Sequence, residues 1–468
     1  MNYTRTIAAI LAALTLAAPL ASCERTPLES TTDTAADTAQ TSPIESDRSS
    51  DYFIVPVSTA NTTSLYKLNV KTGTFTSICT DPLCTHDSEE CPFYGVGSII
   101  AYYENYLYYT HDGIHRYDMI TGETYQLISS KDRPDGWNCA SLYATGKYLF
   151  YYMRESSMSF EEYQAEVEKG KDPERETDFP LVRYDLATGE EKNFGTSLDI
   201  FGDDLAGFDK SSMIPMHSCT ADTVTWTVGL YSVVTDFDMN VISKTSLTND
   251  NGEQCLEYGG RSYVYRKSKS RAPKGYKALD GMSSCDFYLY NKATGEEKLI
   301  VKDMERAPLY LEDRDMFIYM KANEPGEDNT FFKSEKPDDP RAQSGYFQTN
   351  NEVWAMNGDG TEAHVICKVD DPYLVGSGLN RFENTVGQSL CKNDCVIIMM
   401  SHAYVAEEEE YEEKNGKPEL VGTYKTAAVE RLYGYAIVNI VTGEYKVVYP
   451  DGDPQSCTDR DLSAEIKK

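Results

Sequence analysis

Basic charge is what this sequence has least of. Its 468 residues carry 44 Lys and Arg against 75 Asp and Glu, a formal net charge of −31. A surface with that balance repels phosphates, which excludes nucleic acid as a partner. Tryptophan is scarce as well, at 3 against 35 Tyr. The six histidines (His86, His111, His115, His217, His364, His402) form no triad pattern. There is no nucleophile elbow, P-loop, His-Glu-x-x-His or EF-hand loop, so the common signatures of hydrolase, nucleotide, metallopeptidase and calcium chemistry are missing. No apolar run approaches the ~18 residues of a spanning helix.

What is there begins with an export signal. Arg5 supplies a thin basic region, Ile7 to Leu16 an apolar run, and Leu20-Ala21-Ser22 a small-residue cleavage site before Cys23. That order resembles the lipobox of bacterial lipoproteins, in which the Cys becomes the lipid-bearing first residue. The competing expectation is plain secretion with Cys23 as a stray thiol. Residues 1–22 then form a signal peptide and 23–50 a flexible stalk rich in Ser, Thr, Asp and Ala, with an r.m.s. reach of about 30 Å. Residues 51–468 are the folded domain. Of twelve Cys, eleven remain after Cys23, an odd number in a compartment that permits disulfides.

The domain is built on a repeat. IHRYDMITGETYQLI at Ile114 returns at Leu65, Leu181, Phe287 and Tyr435, and a degenerate copy starts at Glu352. Leu68, Tyr117, Tyr184, Tyr290, Ala355 and Val438 hold the equivalent apolar position, as one buried strand face requires. Asn69, Asp118, Asp185, Asn291 or Asn439 follows, an Asx side chain able to accept backbone N–H groups of the turn, with Met356 the departure. Gly73, Gly122, Gly189, Gly295, Gly360 and Gly443 then supply a positive φ. Strand repeats of this size predict an all-β, seven-bladed β-propeller, with six or eight blades also compatible. The first unit lacks its leading strand, and the tail Ser456–Ile466 is the remaining candidate to complete it.

Loop lengths predict where function sits. The connections between second and third strands are long in four units: Arg154–Pro180, Lys267–Ser284, Lys321–Asn351 and Ser401–Arg431. In an up-and-down blade all of them fall on one rim, opposite the Thr-Gly turns, and binding residues favour such loops. Ser159–Glu162 reads as a capping box opening a short helix in the first insertion. Arg266, Lys267, Lys269, Arg271 and Lys274 form a basic island, which either holds an anionic ligand or, as favoured, pairs with the Glu-rich stretch 407–413. Thr248–Gly252 faintly resembles the Asp box of sialidase-type propellers and is expected to be a polar turn.

Between the first two units lies CTDPLCTHDSEECPF. Cys79, Cys84, His86 and Cys91 have the chemistry of a Cys₃His zinc site, and equally of a disulfide-stapled loop with one thiol over. This segment, with the lipobox and the repeats, resembles uncharacterised cell-surface propeller lipoproteins of monoderm bacteria. The resemblance implies a propeller on the outer face of the cytoplasmic membrane and supplies no activity. The turn units also resemble quinoprotein repeats, but Leu127, Phe194 and Ile300 stand where those families carry Trp, which argues against a quinone cofactor. The expectation is a ligand-binding or protein-interaction module, anchored to the membrane through Cys23 and facing an extracellular protein or glycan. The alternative is a glycan- or peptide-processing enzyme with its site in the propeller funnel.

Overall fold

The computed structural model describes residues 51–453, apart from 60–61, 80, 82, 85–90, 92, 94–95, 97–98, 134–136, 157–164, 166–168, 170–176, 203–211, 268–276, 279–283, 322–329, 333–344, 348–351, 370–389 and 415–416. The export signal, the stalk, the Ser159–Glu162 capping box and the tail Ser456–Ile466 lie outside the described residues.

Antiparallel sheets follow one another along the chain, each made of sequence neighbours. The first has three strands among the described residues, Tyr52–Thr59, Thr62–Asn69 and Phe75–Ser77. The second runs Ile100–Tyr103, Tyr106–His111, Gly113–Asp118 and Thr124–Ser129. The third contains Asn138–Ala144, Tyr148–Ser156, Leu181–Asp185 and Glu191–Asn193. Met216–Cys219, Thr223–Val228, Tyr231–Asp236 and Val241–Ser246 make the fourth. The fifth and sixth repeats share one seven-stranded sheet, because Glu296–Leu311 runs unbroken from the outer edge of one to the inner edge of the other. The last sheet has Cys395–Lys414, Lys417–Asn439 and Tyr445–Val448.

Apolar residues alternate along these strands and meet between sheets. Ile54, Leu65 and Ile78 of the first sheet pack with Ile100, Leu107 and Tyr117 of the second. Ala101, Tyr108 and Ile114 meet Leu142, Leu149 and Tyr151 of the third, whose other face (Phe150, Tyr152, Leu181) packs with Val224, Trp226 and Val233. Tyr263 and Phe287 meet Phe317, whose ring stands edge-on 5.1 and 5.5 Å from theirs. Leu309, Ile318 and Val353 then pack with Val396, Ile398 and Ala436 of the last sheet. Finally Phe53, Val55 and Leu68 of the first sheet pack against Ile397, Tyr435 and Ile437 of the last. The first sheet touches both the second and the last, so the succession returns on itself. Each fully buried side chain of this kind stabilises by about 1.5–3 kcal/mol, so no single sheet stands without its neighbours. This is a β-propeller.

The Thr-Gly turns explain the repeat residue by residue. Gly73, Gly122, Gly189, Gly295, Gly360 and Gly443 all have φ between 72 and 79°. The Oδ1 of Asp118 accepts the N–H groups of Ile120 and Thr121 at 2.8 and 3.1 Å, and Asn69, Asp185, Asn291 and Asn439 do the same in their turns. The turn Thr has its own task. Its Oγ1 accepts the N–H two residues on, as at Thr121 from Glu123 and Thr188 from Glu190. In the fourth sheet, whose turn does not match the repeat, Asp236 takes the Asx role and Met239 the left-handed position, with φ 66°.

Candidate functional site

Antiparallel pairing places the Thr-Gly turns on one rim and the connections between second and third strands on the other. The second rim carries the insertions, and three of them come together. Lys277–Ala278, from the fifth unit, pairs in parallel with Gly345–Phe347, from the sixth. Gly345–Phe347 also pairs with Thr330–Phe332, giving a small three-stranded sheet outside the ring. That sheet lies against Lys417–Asn439 of the last unit.

The third insertion is no loop. The stretch expected as a connection, Ser401–Arg431, is a two-stranded arm paired from Ser401↔Arg431 to Lys414↔Lys417. At about 3.3 Å per residue the arm projects roughly 45 Å beyond the blade. Leu420 and Val421 on it are exposed, at 52% and 40%.

Among the described residues, Arg266 of the basic island is paired close to its own blade. Arg266 Nε donates to Glu253 Oε1 at 2.8 Å, and its Nη1 and Nη2 donate to Glu297 at 2.8 Å each. These bonds hold the Glu253 carboxyl down at about 2 and push the guanidinium above its ordinary range. Asn249 Nδ2 donates to both carboxylates, at 2.7 and 3.0 Å. Arg261, just upstream, forms a bidentate pair with Asp315 at 2.6 and 2.7 Å. Among the described residues the favoured pairing with the Glu-rich stretch is not what Arg266 makes: Glu253 and Glu297 take its guanidinium. Lys267 ends the strand Arg261–Lys267, and Lys269, Arg271 and Lys274 lie outside the described residues. Thr248–Gly252 is the polar turn expected: Asn249 Oδ1 accepts the N–H groups of Asn251 and Glu253 at 3.0 and 2.8 Å.

Between the first two sheets, on the decorated rim, the thiols of Cys79, Cys84 and Cys91 lie within 4.8 Å of one another. The Asp81 turn makes this possible. Its carboxylate accepts the Leu83 N–H at 2.9 Å and its carbonyl the Cys84 N–H at 3.2 Å, returning the chain toward Cys79. Burial raises the Cys79 thiol and pushes Cys91 up to about 12, while the N–H groups of Asp81 and Phe93 donate to these sulfurs and oppose the shift. Two N–H···S bonds in an apolar pocket suit thiolates held by a cation. Phe93 closes the pocket with its ring 5.0 Å from that of Tyr109 and 5.4 Å from that of Tyr117. His86 lies outside the described residues.

On the same rim His111 and His115 face each other across the turn at Asp112-Gly113, their rings 6.3 Å apart. His115 stacks on Tyr109 at 5.3 Å, and its Nε2 is 2.7 Å from Asp112 Oδ1. Burial lowers its pKa against the opposing carboxylate.

No family model and no curated protein matches this chain. Among solved structures it is similar to an oligogalacturonate lyase in complex with manganese, at 14% identity over 82% of this chain and 87% of that one, with TM-score 0.39. It is also similar to TolB from Acinetobacter baumannii, at 13% identity over 67% and 62%, TM-score 0.32. A third is the β-propeller domain of the Trilobed protease from Pyrococcus furiosus, at 12% identity over 88% and 98%, TM-score 0.29. At such scores the sheet order and the packing between sheets, not these likenesses, carry the assignment of a β-propeller.

Proposed function

We propose that this chain is a lipid-anchored, extracytoplasmic propeller of seven blades that works as a binding module, holding an extracellular protein or glycan on its decorated face. One observation carries the reading: insertions of three separate units converge into a sheet and an arm on one rim. Among the described residues the other rim has only tight turns. The Leu20-Ala21-Ser22-Cys23 order supports the anchor, on the outer face of the bacterial cell membrane. Seven strand sets, with the first packed on the last, support the blade count.

The three-thiol centre fits zinc, with His86 as the fourth ligand that the sequence offers between Cys84 and Cys91. Zinc there would tie the connection between the first two blades to the sheet beneath it.

The arm offers the test. His402 and Glu430 are cross-strand partners, so a two-residue Asn-Gly link replaces 403–429 without disturbing the blade. Intact and trimmed chains are compared on a panel of cell-wall glycans, peptidoglycan fragments and peptides, reading binding and turnover together. Binding without turnover is expected from the intact chain, at least tenfold weakened by trimming. Turnover of any panel member would put the enzyme in place of the module. Equal binding by the trimmed chain would remove the arm from the site.

A further inference from the structure

The first described residue, Asp51, is held in place. Its carbonyl accepts the Val70 N–H at 2.9 Å and its carboxylate pairs with Lys71 at 2.8 Å. Asn393 Nδ2 donates to the same carboxylate. Val70 and Lys71 belong to the first Thr-Gly turn, and Asn393 to the first turn of the last unit. All three lie on the undecorated rim. Tyr52↔Asn69 pairing fixes the direction: the first strand starts at that rim and runs toward the other.

We infer that the propeller stands over the membrane on its Thr-Gly rim, with the sheet-and-arm cap pointing away from the lipid toward the exterior. The inference rests on the lipid anchor proposed above and adds the surface that the anchor leaves free. The chain from Cys23 enters the domain at Asp51, so the tether pulls on that rim alone. A blade strand of six to eight residues is about 25 Å tall and the arm adds roughly 45 Å. Bringing the arm tip to the membrane would carry Asp51 about 70 Å away from the lipid. Adhesion does not set this orientation. Asp118, Asp185, Glu190, Glu296 and Glu444 all lie in or beside the Thr-Gly turns and would repel an anionic headgroup layer. The partner of the cap is thus a component of the wall or the medium, reached without crossing headgroups.

The test uses energy transfer. Mature lipidated chain is placed in phosphatidylglycerol–phosphatidylethanolamine vesicles carrying an acceptor on a fraction of the headgroups. A donor is attached through a genetically encoded azide at position 120 (Ile120, 73% exposed, on a Thr-Gly turn) or at position 420 (Leu420, on the arm). Donor quenching is expected to be at least threefold greater at 120 than at 420. Equal quenching, or more at 420, would overturn the orientation. A Cys23→Ala chain run in parallel separates the two readings. If the wild type stays off the vesicles as that variant should, the anchor itself is wrong. If the wild type binds and the quenching is reversed, only the orientation is.

Discussion

The two rims of this propeller are made by opposite means. On the Thr-Gly rim five turns repeat one solution, an Asx carboxamide or carboxylate, a Thr hydroxyl and a left-handed Gly, and a sixth keeps the Gly at almost the same φ with Asp359 in place of the Thr. The side-chain oxygens of the Asx and the Thr are answered within three residues. On the other rim nothing repeats: a parallel strand pair between insertions, a long arm, three clustered thiols and an Asp-His pair each occur once. The difference teaches that the first rim solves a packing problem common to all units. The second carries what is particular to this chain. Perturbing the first should cost stability in proportion to local strain, and perturbing the second should be felt in metal content, in ligand binding, or in neither.

The largest effect is expected at the thiols. Cys91 is almost fully buried at 1% exposure, within the cluster of Ile54, Leu65, Phe93 and Tyr109. With zinc bound, purified protein should hold about one equivalent. Cys84→Ser and Cys91→Ser should each lose it and lower Tm by about 5 °C or more, since metal binding free energy is folding free energy. Chelation of the wild type should reproduce the shift. Absence of metal together with a mapped disulfide within Cys79–Cys91 would sink the zinc centre, leaving the rim stapled covalently instead.

Next come the turn glycines, which let the uniformity of the Thr-Gly rim be tested. Gly189 and Gly443 have φ of 74 and 72°, so an L side chain is strained at both. Their surroundings differ. A Cβ on Gly189 would meet nothing nearer than the Tyr184 hydroxyl at 3.4 Å, whereas one on Gly443 would stand 2.5 Å from the backbone oxygen of Ile366 in the neighbouring sheet. Gly189→Ala should cost about 1 kcal/mol and Gly443→Ala about 2–3 kcal/mol, read by chemical denaturation. Equal costs would mean that the turns are not packed against their neighbours, and the rim would be a set of independent hairpins.

How far the sequence was legible follows the same division. The apolar position, the Asx and the Gly of each repeat act within a few residues of one another, so spacing alone revealed strands, turns and the bare rim. Met239 was hidden because a left-handed non-Gly residue has no compositional mark, although Asp236 three residues earlier does the work of the repeat's Asx. The unbroken strand Glu296–Leu311 was hidden for another reason: Asp303, with φ 57° and a buried side chain, reads in sequence as a break. The arm was masked in sequence by its run of Glu, since such charge gives no apolar alternation to mark a strand. Which acids Arg266 meets was beyond reading, because Glu253 comes to it from a connection between blades and Glu297 from a separate strand.

The smallest effect should come from charge on the bare rim, and its pH dependence has a definite sign. The N–H groups of Thr188 and Ala187 hold the Asp185 carboxyl below its ordinary value. Its folded pKa therefore lies under the unfolded value of about 3.9, so whatever it contributes is complete above that pH and is lost as pH falls through the folded pKa. Asn69, Asn291 and Asn439 make the same turn with a neutral acceptor, which shows that the geometry does not need the charge. Asp185→Asn should then change Tm by no more than about 1 °C at pH 7, and the difference from wild type should shrink as pH falls through the folded pKa, where the native carboxyl is protonated too. A larger loss, or one that persists in acid, would mean that Asp185 does more than close its turn, and that rim would no longer be the plain one.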